Sequence, residues 1–172
     1  MVTRRRRRGV TLMELIMVVA ITSILFGVAA PILLQANRQF IMVRTKLELQ
    51  QEARGIMYVL TRAIRQAHSD SITISHANDS QPFYSKITFT KEGSTTTLVS
   101  QTLVFQQEGT TLYQLFGVNK RVLSRNLQYL EFTFPRSDDM SIISVSITLQ
   151  KSIYEGRTKA LHMASEKVRV MN

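Results

Sequence analysis

The stretch that decides the fold is residues 9–34, GVTLMELIMVVAITSILFGVAAPILL, which directly follows five arginines at positions 4–8. Residues 10–34 contain a single charge, Glu14, and residues 15–34 contain none. Twenty residues in an α-helix span about 30 Å, the thickness of the hydrocarbon core of a bilayer. We therefore predict one membrane-spanning helix, with the arginines on the cytoplasmic side and the rest of the chain exported.

The position of the small residue Gly9 separates this segment from an ordinary secretory signal. Such a signal has a shorter apolar region and is cut after it, at an A-x-A-like site. Gly9 instead lies before the apolar run, next to the arginines. Cleavage after Gly9 would remove a basic leader, residues 1–9, and would leave the membrane anchor, residues 10–34, on the mature chain.

Charge and composition narrow the classes of function. The net charge is +10, but five of the 22 basic residues are the leader arginines, so a chain that begins at Val10 carries +5. No aromatic residue interleaves those arginines, and a role in membrane orientation is favoured over nucleic-acid binding. The absence of cysteine excludes a disulfide scaffold, a thiolate zinc site and a cysteine nucleophile.

A helical pattern continues beyond the membrane segment, with apolar residues at steps of three and four and polar residues opposite. One helix is expected from about residue 11 to about residue 67, roughly 85 Å long, with an amphipathic part at residues 35–68. Residues 69–172 cannot bury a helix of that length, so its first half needs lipid or copies of itself. The predicted apolar stripe, interrupted by Gln50, consists of Phe40, Val43, Leu47, Ala53, Ile56, Met57, Leu60, Ala63, Ile64 and Ala67.

After Ser69 the apolar residues alternate with polar ones, which is the period of a β-strand. Turns at residues 91–94 and 108–110 separate short segments and predict an antiparallel meander over residues 69–172 that covers the helix stripe. The predicted fold class is α+β, a long N-terminal helix on an antiparallel β-sheet domain. The expected strands contain Ile72 and Ile74, Ile87 and Phe89, and residues 98–105, 112–116, 127–134, 142–149 and 159–171.

The combination of Gly9, Val10, Glu14 and the apolar run resembles the class III signal of type IV prepilins and type II secretion pseudopilins. In that family the cut follows the glycine of a basic leader, and Glu is the fifth residue of the mature chain, as Glu14 is here. The resemblance implies cleavage between Gly9 and Val10, N-methylation of Val10 and the pilin fold. The family commonly begins the mature chain with Phe or Met, and Val10 departs from this.

Glu14 is the candidate assembly residue. A lone carboxylate in a transmembrane segment costs about 2.5–3.5 kcal/mol on insertion scales, so it needs a partner. The resemblance implies that this partner is the amino group of Val10 on a neighbouring subunit. A simpler alternative is that Glu14 extends to the headgroup level. Gly27 and Pro31 are candidate helix-distorting positions, or residues that a transmembrane helix tolerates without further consequence.

The exported part resembles minor pilins of the PilW, ComGF and GspJ type, in its pattern LQYLEFTF…IISVSITLQ and in its Arg169–Asn172 ending. We expect a minor pilin or pseudopilin that acts in assembly initiation or near the filament tip. Implied partners are a prepilin peptidase/methyltransferase, other pilin subunits, the inner-membrane assembly platform and the bilayer. Two alternatives stay open: a pilus-borne module that binds DNA or a surface ligand, and a membrane-tethered exported domain that does not polymerise.

No residue pattern indicates catalysis, a cofactor or a metal. His68, His76 and His162 lack the two-histidine spacing of a zinc hydrolase. Asp138 and Asp139 are not surrounded by the ligand series of a calcium loop, and a solvated turn is favoured. We therefore predict a protein that is not an enzyme, first anchored in the cytoplasmic membrane and then part of a pilus or pseudopilus.

Overall fold

The computed structural model describes residues 9–79, 83–91, 101–154 and 158–171. The chain divides into two units, Met1–Ile41 and Met42–Asn172. A single helix, α1 (Leu12–Arg65), contributes to both units, and a 3-10 turn at Ser69–Ser71 follows it. The strands come next: β1 (Thr73–Ser75), β2 (Lys86–Lys91), β3 (Gln101–Glu108), β4 (Thr111–Phe116), β5 (Asn119–Ser124), β6 (Leu127–Thr133), β7 (Ile142–Tyr154) and β8 (Thr158–Arg169).

The strands form two antiparallel sheets in sequence order, β1 to β5 and β6 to β8, where the sequence predicted one meander. Two-residue hairpin turns that begin with Gly109 and Gly117 connect β3 to β4 and β4 to β5; both glycines have a positive φ that suits tight hairpins. Tyr84 and Ser85 link the sheets, because the Tyr84 carbonyl accepts a hydrogen bond from Phe132 N–H and the Ser85 carbonyl accepts one from Gln107 N–H.

The core of Met42–Asn172 lies between the second part of α1 and the two sheets. α1 contributes a buried stripe at steps of three and four, and the strands contribute alternate residues. This confirms the predicted α+β class, with one long helix on antiparallel strands. The largest fully buried side chains are Leu49, Leu60, Ile64, Ile87, Phe89, Phe105, Leu112, Leu127, Leu130, Phe132, Ile143 and Ile147.

The predicted apolar stripe was wrong at its beginning. Phe40, Val43 and Leu47 are 67%, 57% and 53% exposed, whereas Thr45 and Leu49 are buried. Successive helical residues are about 100° apart, so residues 47 and 49 point in nearly opposite directions. Leu49 lies on the same side of α1 as the later core residues of the helix, and this side is the buried one. The apolar pattern alone does not show which of two possible stripes the sheets cover.

Polar contacts connect the second part of α1 to the second sheet and to the turn that precedes it. Lys151 Nζ donates to Glu48 at 2.9 Å, and Asn126 Nδ2 donates to Glu52 at 2.9 Å. The carbonyl of Arg65, the last helical residue, accepts a hydrogen bond from Met171 N–H at 3.3 Å. The three contacts therefore join α1 to β7, to the turn after β5 and to the residues that follow β8.

The positions of the strands agree with the sequence pattern apart from β5, which the pattern did not predict. Residues 98–100 of the expected third strand, most of the predicted turn at 91–94 and leader residues 1–8 lie outside the described residues. β5 was missed because only Val122 and Leu123 are apolar among its six residues. It is an edge strand of the first sheet and pairs with β4.

Candidate processing and assembly site

The candidate cleavage bond lies outside the helix. Residues 9–11 are not helical, and α1 begins at Leu12, so the Gly9–Val10 peptide is not engaged in helical hydrogen bonding. A Cβ on Gly9 would meet no other atom within 4 Å, so packing within this chain does not require glycine there. Gly9 and Val10 are both exposed, so the bond between them is accessible in this structure.

Thr11 and Glu14 form the start of α1. The Thr11 hydroxyl accepts a hydrogen bond from Glu14 N–H at 3.3 Å, and the Thr11 carbonyl accepts one from Leu15 N–H at 3.1 Å. Thr-x-x-Glu is the sequence of a capping box, and a carboxylate in the first turn interacts favourably with the helix dipole. Sequence reasoning missed this capping role of Thr11, although the four-residue signature was visible.

The helix that follows Glu14 presents apolar side chains in every direction. Its hydroxyl groups are satisfied within the helix, because Thr22 donates to the Val18 carbonyl and Ser23 donates to the Val19 carbonyl at 2.8 Å. Such internal bonds remove the need for a solvent partner in an apolar environment. In residues 10–34 the large apolar side chains are all more than half exposed: Val10, Leu12, Met13, Leu15, Ile16, Met17, Val18, Val19, Ile21, Ile24, Leu25, Phe26, Val28, Ile32, Leu33 and Leu34.

Gly27 and Pro31 lie inside α1, which is continuous from Leu12 to Arg65. Proline has no N–H, so Pro31 cannot donate to the carbonyl of Gly27 four residues earlier. A Cβ on Gly27 would meet no other atom within 4 Å. The missing donor marks one weakened turn, and the distortion expected from these two residues stays a prediction.

Two of the residues considered from sequence, His76 and Asp139, have contacts of another kind. His76 packs against the ring of Tyr84, with 4.5 Å between centroids. Asp139 accepts hydrogen bonds from the Ser141 hydroxyl and, at 2.9 Å, from Ser141 N–H, and these bonds lower the pKa of its carboxyl group below the ordinary value. In the described part of the chain, no group of three or more His, Asp or Glu side chains is placed to hold a metal ion.

Comparisons with known proteins bear on the same segment. A family model described as the prokaryotic N-terminal methylation motif matches residues 4–30, which include the leader arginines, the Gly9–Val10 bond and Glu14. No curated protein and no solved structure matches the chain. Within the described residues, α1 is long and apolar enough to cross a membrane.

Proposed function

We propose that this chain, a type IV pilin-like protein with a class III prepilin signal, is a minor pilin or pseudopilin that acts in assembly initiation or near the filament tip. The signal implies processing by a prepilin peptidase and assembly with other pilins, and it fits a protein anchored in the inner membrane. In our proposal the cut falls between Gly9 and Val10, Val10 is N-methylated, and the domain that follows is exported.

The observation that carries this proposal is the exposed apolar surface of residues 10–34 with one carboxylate in its first turn. In water, exposure of so large an apolar surface is unfavourable. The bilayer covers it before assembly, and equivalent helices of neighbouring subunits cover it in a filament. A helix that is apolar all round is suited to both environments.

Glu14 supplies the specificity that apolar contacts lack. An apolar helix can slide along another without a large change in energy, whereas a charge in an apolar core requires its partner at a defined position. We propose that the Glu14 carboxylate pairs with the Val10 ammonium group of a neighbour and thereby determines the axial register. The capping bond from Glu14 N–H to Thr11 uses the backbone and leaves the carboxylate available.

Two features support a minor subunit. The β6–β7 pair contains the sequence pattern shared with minor pilins, and the chain lacks the C-terminal cysteine pair that many major pilins have. The proposal also includes a further contact through the exported domain. An open groove of about 360 Å³ is lined by Val43 and Leu47 of α1 and Leu161 of β8, and in our proposal a second subunit covers it.

The first experiment is intact-mass analysis of the protein purified from producing cells, with and without the prepilin peptidase. We expect a mature chain that begins at Val10, with a methylated amino group, and an uncut chain in the strain without peptidase. A terminus at Met1 in cells with an active peptidase would contradict the assignment and favour a tethered exported domain that does not polymerise.

The second experiment compares Glu14→Leu with Glu48→Gln, a control that removes a carboxylate from the exported part of the same helix. Glu14→Leu should insert and be cleaved normally, because removing a charge favours the bilayer. Its recovery in sheared filaments should fall at least tenfold, because a neighbour's ammonium group is left unpaired, a penalty of about 3–5 kcal/mol. Equal recovery of both variants, at equal membrane levels, would exclude Glu14 as an assembly contact.

A further inference from the structure

A groove on Met42–Asn172 combines positive charge with aromatic rings. It has a volume of about 290 Å³ and lies between α1 and the rim of the five-stranded sheet. We call it the basic groove and define it by six of its lining residues: Tyr58 and Arg62 from α1, Lys91 from the end of β2, Gln114 and Phe116 from β4, and Arg121 from β5.

The cations from the sheet lie on its core-facing side. Lys91 continues the alternate row of the buried residues Ile87 and Phe89. Arg121 is directly opposite Gln114, which follows the buried Leu112 by two positions and therefore lies on the same face. This face is apolar at its centre. At its rim the apolar residues are replaced by Lys91, Gln114 and Arg121, which makes the rim positively charged.

The positive charge of the groove is not neutralised within the described chain. No carboxylate is among the described residues that line the groove. The ion pairs between described residues involve Arg44, Arg65, Lys120 and Lys151 as cations, so they leave Arg62, Lys91 and Arg121 without a carboxylate partner there. Three cations around one apolar floor favour an anionic ligand.

The aromatic residues are available for stacking. Tyr58 is 64% exposed and Phe116 is 40% exposed, on opposite sides of the groove. Tyr58 and Arg62 are four residues apart, so they are neighbours on one side of α1. A second groove adjoins these same two residues and is also lined by Arg65, whose charge is paired with Glu166.

We infer that the basic groove binds single-stranded nucleic acid, independently of how the N-terminal helix assembles. Arg62, Lys91 and Arg121 would contact phosphates, and unpaired bases would stack on Tyr58 and Phe116. An acidic peptide or an inorganic polyanion would use the cations but gain little from two exposed rings. The combination of rings and cations therefore favours a ligand with both flat bases and a charged backbone.

The test uses the mature full-length protein in detergent micelles and a fluorescein-labelled oligothymidylate, with binding measured by anisotropy over a series of salt concentrations. Arg62→Gln combined with Arg121→Gln should weaken binding at least tenfold. The slope of log K against log salt should decrease by about 1.4, because each phosphate contact on a single strand contributes about 0.7. The charge-matched control, Arg136→Gln with Arg169→Gln, should retain the wild-type slope and affinity.

A second arm separates nucleic acid from other polyanions. Tyr58→Ala and Phe116→Ala should each weaken oligothymidylate binding about fivefold to a hundredfold, the range for loss of one stacked base. Both should leave competition by inorganic polyphosphate unchanged, and circular dichroism verifies that the variants are folded. No binding by the wild type, an equal loss in the charge-matched control, or undiminished binding by both aromatic variants would each overturn the inference.

Discussion

The two parts of α1 have the same backbone conformation and opposite environments. In Met1–Ile41 no described side chain is buried, although nearly all of residues 10–34 are apolar. In Met42–Asn172 the helix continues to Arg65 with a polar side and a buried side, and its buried residues all lie between Thr45 and Ile64. Helix formation is therefore common to both parts, and the distribution of polar residues decides what covers each part.

The difference teaches that apolar content and burial are separate properties of this helix. Leu60 is completely buried by the sheets, whereas Leu25 is 63% exposed within its own chain. The first residue contributes to the stability of the folded domain through the hydrophobic effect. The second contributes only when lipid or another subunit covers it.

Deletion of the first unit, Met1–Ile41, should have the largest effect. A chain that starts at Met42 retains every buried residue of the core. We expect all of this fragment to be recovered in the soluble fraction, in a folded state, where the full chain is recovered in the membrane fraction. Ultracentrifugation, circular dichroism and limited proteolysis provide the measurement. An unfolded or aggregated fragment would show that the folded state of Met42–Asn172 depends on the first unit.

Equivalent truncations in the two parts of α1 should differ in their effect on stability. Leu60→Ala should lower the free energy of unfolding of Met42–Asn172 by about 2–5 kcal/mol, because it leaves a cavity in the core. Leu25→Ala should not change it. Denaturant titration of the mature protein in mild detergent, followed by the β-sheet signal, measures both. Similar losses in the two variants would contradict the division of the helix.

The cap at Thr11 provides a smaller and local effect. Thr11→Ala removes the hydroxyl that accepts the Glu14 N–H, and loss of such a cap costs about 1 kcal/mol. Amide hydrogen exchange should become faster in the first turn of α1, while exchange in Met42–Asn172 stays unchanged. Thr11→Ser, which keeps the hydroxyl, is the matched control and should retain slow exchange.

The smallest expected effect concerns pH and the Glu48–Lys151 ion pair. The hydrogen bond and charge of Lys151 lower the pKa of Glu48 below its ordinary value of 4.5. The pair therefore stabilises the fold above that pH, and its contribution is lost as the pH falls through the lowered pKa. Lys151→Gln should lower the melting temperature slightly at pH 7 and not at pH 2. Lys167→Gln is the control, because Lys167 forms no ion pair with another described residue.

The segment that the methylation-motif model matches was predictable because its signal is contiguous. Gly9, Val10 and Glu14 lie within six residues, and the composition of residues 10–34 by itself indicates a membrane-spanning helix. The class of fold was also predictable, since the period of the apolar residues changes from helical to alternating after Ser69. These features depend on local order along the chain.

The features that depend on tertiary contacts could not be predicted in this way. Val43 and Leu47 fit a helical stripe as well as Leu49 does, and only the location of the sheets decides between them. The basic groove joins residues as distant as Tyr58 and Arg121. In the sequence these are ordinary surface residues, because the pairing of β5 with β4 is what places Arg121 beside the core.

The contacts of Tyr84 and Ser85 have a consequence for the order of folding. The Ser85 carbonyl bonds to β3 of the first sheet, and the adjacent Tyr84 carbonyl bonds to Phe132 of the second. The hydrogen bond to the Ser85 carbonyl can therefore form together with the first sheet. The hydrogen bond to the Tyr84 carbonyl can form only after Phe132, 48 residues later, has reached its place in the second sheet. Such a non-local contact is slow to form, since loop closure must come before it. We expect the docking of β6 on Tyr84 to be a late event in the folding of Met42–Asn172.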